Sequence, residues 1–178
     1  MERMKTVLNL RVSDIVSTLF TGRLKTKREP FQKSKNPRAD LMHQVMRDKS
    51  LGPLEKELLA LLPKYLTRRT GNIFITGVLD SLKVEKTLEG FRVSVIEYKT
   101  SRSGELSPIR RKAAKFQTQI YAWILQRYLP ENYRIAKTHY VEFIDTIHPI
   151  VKERIPVKYE EEETEVRIWE VVYRCLSE

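Results

Sequence analysis

Between residues 72 and 128 the hydrophobic pattern changes period, and that change limits what the chain can fold into. The stretch NIFITGVLDSLKVEK is rich in β-branched and aromatic residues, and Leu88-Glu89-Gly90 supplies a turn. FRVSVIEYKT then alternates Phe91, Val93 and Val95 against Arg92 and Ser94, so the two stretches are expected to form a β-hairpin. Pro108 opens a long helix to about Tyr128, with Ala113, Phe116, Ile120, Trp123 and Ile124 at helical spacing, and Pro130 and Asn132 close it.

The flanks read as follows. Ser13 can cap a short helix from Asp14 to about Thr21, and the basic GRLKTKREPFQKSKNPR, interrupted by Pro30 and Pro37, reads as a loop or arm. ADLMHQVMRD pairs Leu41 with Val45 and Met42 with Met46 at i, i+4, a helix ending before Ser50-Leu51-Gly52. Pro53 opens a second helix, PLEKELLALLPKYL, with Leu54, Leu58, Leu61 and Leu62 expected on its buried face. Residues 134–147 read as a strand and VKERIPVKY as an edge strand, because Pro156 removes a ladder donor. EEEETEVRIWEVVYRCL reads as a final helix whose acids suit its N-terminal dipole.

A chain of 178 residues is expected to make one domain over 1–178, with 1–38 as an N-terminal helix and basic arm. No apolar run of membrane-spanning length occurs and the start lacks the order of a secretory signal, so a cytoplasmic location away from membranes is expected. The one cysteine, Cys175, is expected to be a small buried side chain. Net charge is +10, with 16 basic and 7 acidic side chains in residues 1–70, 9 and 5 in 71–120, and 8 and 11 in 121–178. A basic excess confined to the first two thirds suits a polyanion, nucleic acid first. The 31% of charged residues also fits a heat-adapted protein, so charge by itself does not decide.

The chemistry centres on Asp80, placed in the first hairpin strand, and on Glu97-Tyr98-Lys99 in the second. Residues two apart in a strand share a face, so Glu97 and Lys99 point one way and Tyr98 the other. Two carboxylates and an ammonium on one half-buried face are costly to desolvate unless something holds them there, and a cation would. Asp80, Glu97 and the Tyr98 main-chain carbonyl offer the oxygen ligands that Mg²⁺ or Mn²⁺ takes. Lys99 would orient or deprotonate the attacking water, or stabilise charge. Taken alone, Glu97 and Lys99 are equally readable as an ordinary salt bridge, His43 as a packed core histidine, and Gln117 and Tyr121 as helix residues one turn apart.

GVLD, IEYK sixteen residues on, and KFQTQIYAWIL together resemble the RecB-type branch of the PD-(D/E)xK nucleases, which includes exonuclease V and CRISPR-associated exonucleases. The resemblance covers residues 39–128 and extends toward RVSDIVSTLFTGRL near the start. It implies an α/β, restriction-endonuclease-like core, a central mixed β-sheet flanked by helices. It also implies a QxxxY element, Gln117 and Tyr121, arranging the lysine and the nucleic-acid backbone. His43, in ADLMHQVM with Ala39 at the usual glycine position, would be a further metal ligand. His139 and His148 match no family element. Cluster-bearing relatives use four cysteines, whereas here the N-terminal position falls near Gly22 and Cys175 stands alone, so no iron-sulfur cluster is expected. The usual proline before the first acid is Leu79.

The expected activity is metal-dependent hydrolysis of DNA phosphodiesters, exonuclease or endonuclease, with single strands or ends favoured and a homo-oligomer allowed. The rivals are a structure-specific or restriction-like endonuclease on the same residues, an inactive nucleic-acid-binding subunit on the same fold, and a structural protein of a heat-adapted organism or virus. Arg102, Arg110, Arg111 and Lys112, with the arm from Arg23 to Arg38, are expected to grip phosphates because they flank the site in sequence.

Overall fold

The computed structural model describes residues 8–21, 36–101 and 106–177. Its elements run β1 (Leu8–Arg11), α1 (Val12–Thr21), α2 (Pro37–Ser50), α3 (Pro53–Leu61), β2 (Leu66–Thr70), β3 (Ile73–Gly77), β4 (Ser81–Thr87), β5 (Gly90–Ser101), α4 (Pro108–Leu125), β6 (Tyr133–Ile135), β7 (Thr138–Asp145), β8 (Val151–Lys158) and α5 (Glu161–Ser177). Five strands form a mixed sheet of order β4-β5-β7-β8, with β6 also paired to β5, and three form a smaller sheet of order β1-β3-β2. The expected α/β architecture, a mixed sheet flanked by helices, is the one observed.

β5 is the central strand: antiparallel to β4 and parallel to β6 and β7. Its residues from Val93 to Tyr98 are all buried, as a strand covered on both faces requires. The main core gathers Val93 and Val95 of β5 with Phe116, Ile120, Trp123 and Ile124 of α4 and Ile168 and Val172 of α5. On the opposite sheet face α2 lays Met46 against Ile96, Tyr98 and Ile144. Among the described residues β8 pairs only with β7, so the strand carrying Pro156 is an edge strand as its sequence requires. The other edge is guarded. Glu55, buried in the first turn of α3, accepts the Val84 N–H of β4 at 2.8 Å, a donor no strand takes.

Several boundaries differ from the sequence reading. The stretch expected as one hairpin strand is two, β3 and β4, in different sheets, with Val78–Asp80 linking them. Asp80 therefore lies just before β4, not within a strand. β1 and β2 were not anticipated. α3 stops at Leu61 because Pro63 holds Leu62 extended, and Leu61 is exposed instead of buried. α1 begins one residue before Ser13, and Asp14, instead of Ser13, accepts the Arg11 N–H at 3.1 Å. α4 ends at Leu125, short of Tyr128, and the strand expected over 134–147 divides into β6 and β7. The segment 22–35 and Arg102 lie outside the described residues, as does the side chain of Cys175.

Candidate active site

The pairing of β4 with β5 ends at Ser81 opposite Ile96, and the chain before Ser81 swings away toward the smaller sheet. The next rung is made by a side chain: Asp80 Oδ2 accepts the Tyr98 N–H at 2.9 Å. This fork between β5 and the Val78–Asp80 link is where the charged residues meet. Strand alternation sends Glu97 and Lys99 toward α4, where the Lys99 ammonium donates to Glu97 Oε1 at 2.5 Å and to Gln117 Oε1 at 3.0 Å. Gln117 Nε2 donates in turn to the Tyr121 hydroxyl at 3.3 Å. The helical i, i+4 spacing of Gln117 and Tyr121 permits that relay.

Tyr121 reaches this position because Gly77 closes β3. A Cβ on Gly77 would stand 2.3 Å from the Tyr121 ring and 2.9 Å from Val12 Cγ2, so only glycine admits the ring. From the opposite sheet face α2 delivers His43, whose Nδ1 stands 3.9 Å from Asp80 Oδ1. Tyr98 ties that helix down: its hydroxyl pairs with Ser50 Oγ at 2.9 Å and donates to the Met46 carbonyl at 3.4 Å, while Ser50 Oγ also meets Ser81 Oγ at 3.1 Å. Asp80, Glu97, Lys99, Gln117, Tyr121 and His43 are thus brought together from α2, the β3–β4 link, β5 and α4.

The electrostatics are those of a site short of positive charge. Glu97 is only 2% exposed. Burial, and then the neighbouring Asp80 charge, push its carboxyl up to about 7, with Lys99 opposing. Burial raises Asp80 too, against Lys99 and the Tyr98 N–H. Burial holds His43 below its ordinary range, only partly offset by Glu97, which favours the neutral, ligating imidazole. Among the described residues Glu97 Oε2 and His43 Nε2, and away from the site His139 Nε2, are buried without a hydrogen-bond partner. Two orphaned buried atoms beside a second carboxylate fit a hard divalent cation, which would satisfy them and offset the crowded negative charge. Among the described residues no group of three or more His, Cys, Asp or Glu side chains is placed to hold a metal ion as it stands. Asp80, Glu97, His43 and the Tyr98 carbonyl could hold the ion only with water or substrate oxygens completing its shell.

The basic residues divide. Arg110 and Lys112 are exposed in the first turns of α4, whereas Arg111 forks onto Glu153 of β8 at 2.7 and 2.8 Å. The sequence reading passed over Arg47, one turn beyond His43 on α2, though helical spacing alone puts it on the same face. With His43, Gln44 and Asp80 it lines a cleft of about 510 Å³ that opens on the site. A larger hollow, about 630 Å³, lies on the sheet between Glu85, Arg92, Arg134 and Tyr140 and holds none of the site residues. His139, given no role by the sequence, is buried in β7, where its Nδ1 accepts the Val95 N–H at 2.9 Å.

Among solved structures the chain resembles the crystal structure of SSO0001, at 16% identity and a TM-score of 0.52, covering 97% of this chain and 79% of that one. At that identity the likeness is one of fold. No curated protein matches the chain. The model of the PD-(D/E)XK nuclease superfamily matches residues 9–177, a span that takes in every side chain converging around Asp80, and the chain belongs to that superfamily.

Proposed function

We propose that this protein is a Mg²⁺- or Mn²⁺-dependent deoxyribonuclease of the RecB-type branch, acting on single-stranded DNA or DNA ends. The observation that carries the reading is the pair of orphaned atoms, Glu97 Oε2 and His43 Nε2, beside Asp80 and within reach of the Lys99–Gln117–Tyr121 relay. A buried carboxylate left half-satisfied costs on the order of 1–3 kcal/mol, and a cation bound between Glu97, Asp80 and His43 would offset it. Asp80, Glu97, the Tyr98 carbonyl and His43 would hold the ion. When bound, it supplies charge neutralisation at the phosphate and a more acidic water.

The chain's own residues do the rest. Lys99 presents its ammonium to the reacting water and to the developing phosphorane charge, and Glu97 Oε1 and Gln117 Oε1 fix its direction. Tyr121 fixes Gln117. Arg110 and Lys112 face solvent and are left for the backbone; Arg102 and the arm from Arg23 to Arg38 join them in the proposal. Arg111, braced on Glu153, holds α4 to β8 instead. One nuclease domain over 1–178, whose N-terminal part carries β1 and α1 ahead of the basic segment, and a cytoplasmic setting complete the reading. No described helix is long and apolar enough to cross a membrane. With one cysteine in the chain, a four-cysteine cluster is not part of it.

The test is cleavage of end-labelled single- and double-stranded DNA with Mg²⁺, Mn²⁺ or EDTA, beside Asp80→Ala. Metal-dependent products that vanish in the variant, with single strands cut faster, support the reading. DNA binding with no cleavage under any metal points to an inactive binding subunit and sinks it.

A further inference from the structure

We propose that the cleft between α2 and the Val78–Asp80 link is a subsite for a backbone phosphate of the strand being cut, with Arg47 as its ligand. The inference rests on the nuclease reading above. Arg47 is half-buried, and its guanidinium has no hydrogen-bond or ion-pair partner among the described residues. The guanidinium is committed to no described protein group, so its planar set of donors is available to an anion that enters the cleft. Its charge already acts on Asp80, one of the proposed metal ligands. A phosphate on Arg47 would therefore sit next to the reacting centre, not at a remote docking point.

The lining tells what the anion is attached to. Gln44 adds an exposed amide donor beside Arg47, while Leu51, Val78 and Leu79 form an apolar wall suited to a sugar or base. Asp40 and Asp48, both exposed, also line the cleft and oppose an anion, so Arg47 is the residue on which a phosphate there depends. At about 510 Å³ the hollow has the size of a small-molecule site, with room for one nucleotide of an extended strand. Arginine suits the role because its planar fork takes two phosphate oxygens at once, a geometry lysine lacks.

The experiment uses a single-stranded oligonucleotide in which each phosphate around the first cut site is replaced in turn by a neutral methylphosphonate. Wild type, Arg47→Gln and Arg47→Lys are compared by kcat/KM and by the Mg²⁺ midpoint of cleavage. One methylphosphonate position should cost the wild type about tenfold or more, the worth of a charge-assisted fork. Arg47→Gln should lose a similar factor on the unmodified strand and little more on the modified one, because the two changes remove one contact. Arg47→Lys, which keeps the charge at the helix end, should fall between and decides the matter if Arg47→Gln does not fold. Equal losses at every position, or a loss accompanied only by a shifted Mg²⁺ midpoint, mean that Arg47 acts through Asp80 and overturn the subsite. Unchanged kinetics in both variants overturn the subsite and leave the nuclease intact. A wild type inert under every metal overturns both.

Discussion

Lowering the pH should unfold this protein in part through His139, a residue remote from the proposed chemistry. Its ring is fully buried, its Nδ1 accepts the Val95 N–H, and its edge stands against the Tyr159 ring at 5.4 Å. Protonation would strand a cation there and destroy the acceptor. Burial accordingly pulls the imidazole down to about 4, from 6.5 in the open chain. The unfolded state binds that proton more tightly, so the stability tied to the neutral ring is whole above about pH 6.5 and is lost as pH falls toward 4. The gap corresponds to about 3 kcal/mol in full, of which roughly 2 kcal/mol is gone by pH 5. Glu97 runs the opposite way: raised to about 7, its carboxyl favours the fold at low pH and loses that advantage as pH rises through 7. The wild-type profile between pH 5 and 7 therefore shows the two slopes partly cancelled. Urea unfolding of wild type and His139→Gln in EDTA separates them. The difference in unfolding free energy should shrink by about 2 kcal/mol from pH 7.5 to pH 5. Parallel profiles for the two proteins would refute the reasoning, because a ring that titrates alike in both states gives no difference.

Gly77→Ala should destabilise the fold by about 1–3 kcal/mol, since the added Cβ meets the Tyr121 ring at 2.3 Å, and should depress cleavage by displacing the relay to Lys99; denaturation and turnover measured together check this. Glu55→Ala leaves the Val84 N–H without a partner at the β4 edge and should cost about 1–3 kcal/mol in chemical denaturation, with cleavage per folded molecule unchanged. Arg110→Ala and Lys112→Ala should each flatten the salt dependence of DNA binding by about one counterion, while Arg111→Ala, losing its fork to Glu153, should lower the melting temperature and leave the salt slope alone.

The elements most legible in the sequence are those whose apolar residues follow a single period. Phe91, Val93 and Val95 alternate and α4 repeats its apolar residues at helical spacing, so both elements appear near where the pattern puts them, although burial itself runs unbroken from Val93 to Tyr98 and from Ile120 to Leu125. The break at Val78–Asp80 was not legible. NIFITGVLDSLKVEK has no turn signal stronger than Gly77, and what divides it is the capture of β3 between β2, its hairpin neighbour, and β1, some sixty residues earlier in the chain. β2 escaped notice for a related reason. Arg68 looks like a solvent residue, yet it is 6% exposed, lies 3.7 Å over the Trp123 ring and donates to the Trp123 carbonyl. Such burial depends on Glu161 and Glu165, almost a hundred residues on. The candidate site shows the same contrast. Glu97 and Lys99 share a face by strand geometry alone, and Gln117 and Tyr121 by helix geometry, whereas the commitment of Arg111 to Glu153 depends on where β8 returns. Arg47 was legible at i+4 from His43 but gave no chemical signal until the cleft beside it was seen.

The central claim is that Asp80, Glu97 and the Tyr98 carbonyl hold a divalent ion. Crystals grown with Mn²⁺ would test it through the anomalous signal of the metal. A single strong peak about 2.1 Å from Asp80 and from Glu97 Oε2, with His43 turned toward it and the peak absent in Glu97→Gln crystals, is the expected result. Crystals of the folded wild type with no peak at saturating Mn²⁺, or with one held by other residues, would contradict it.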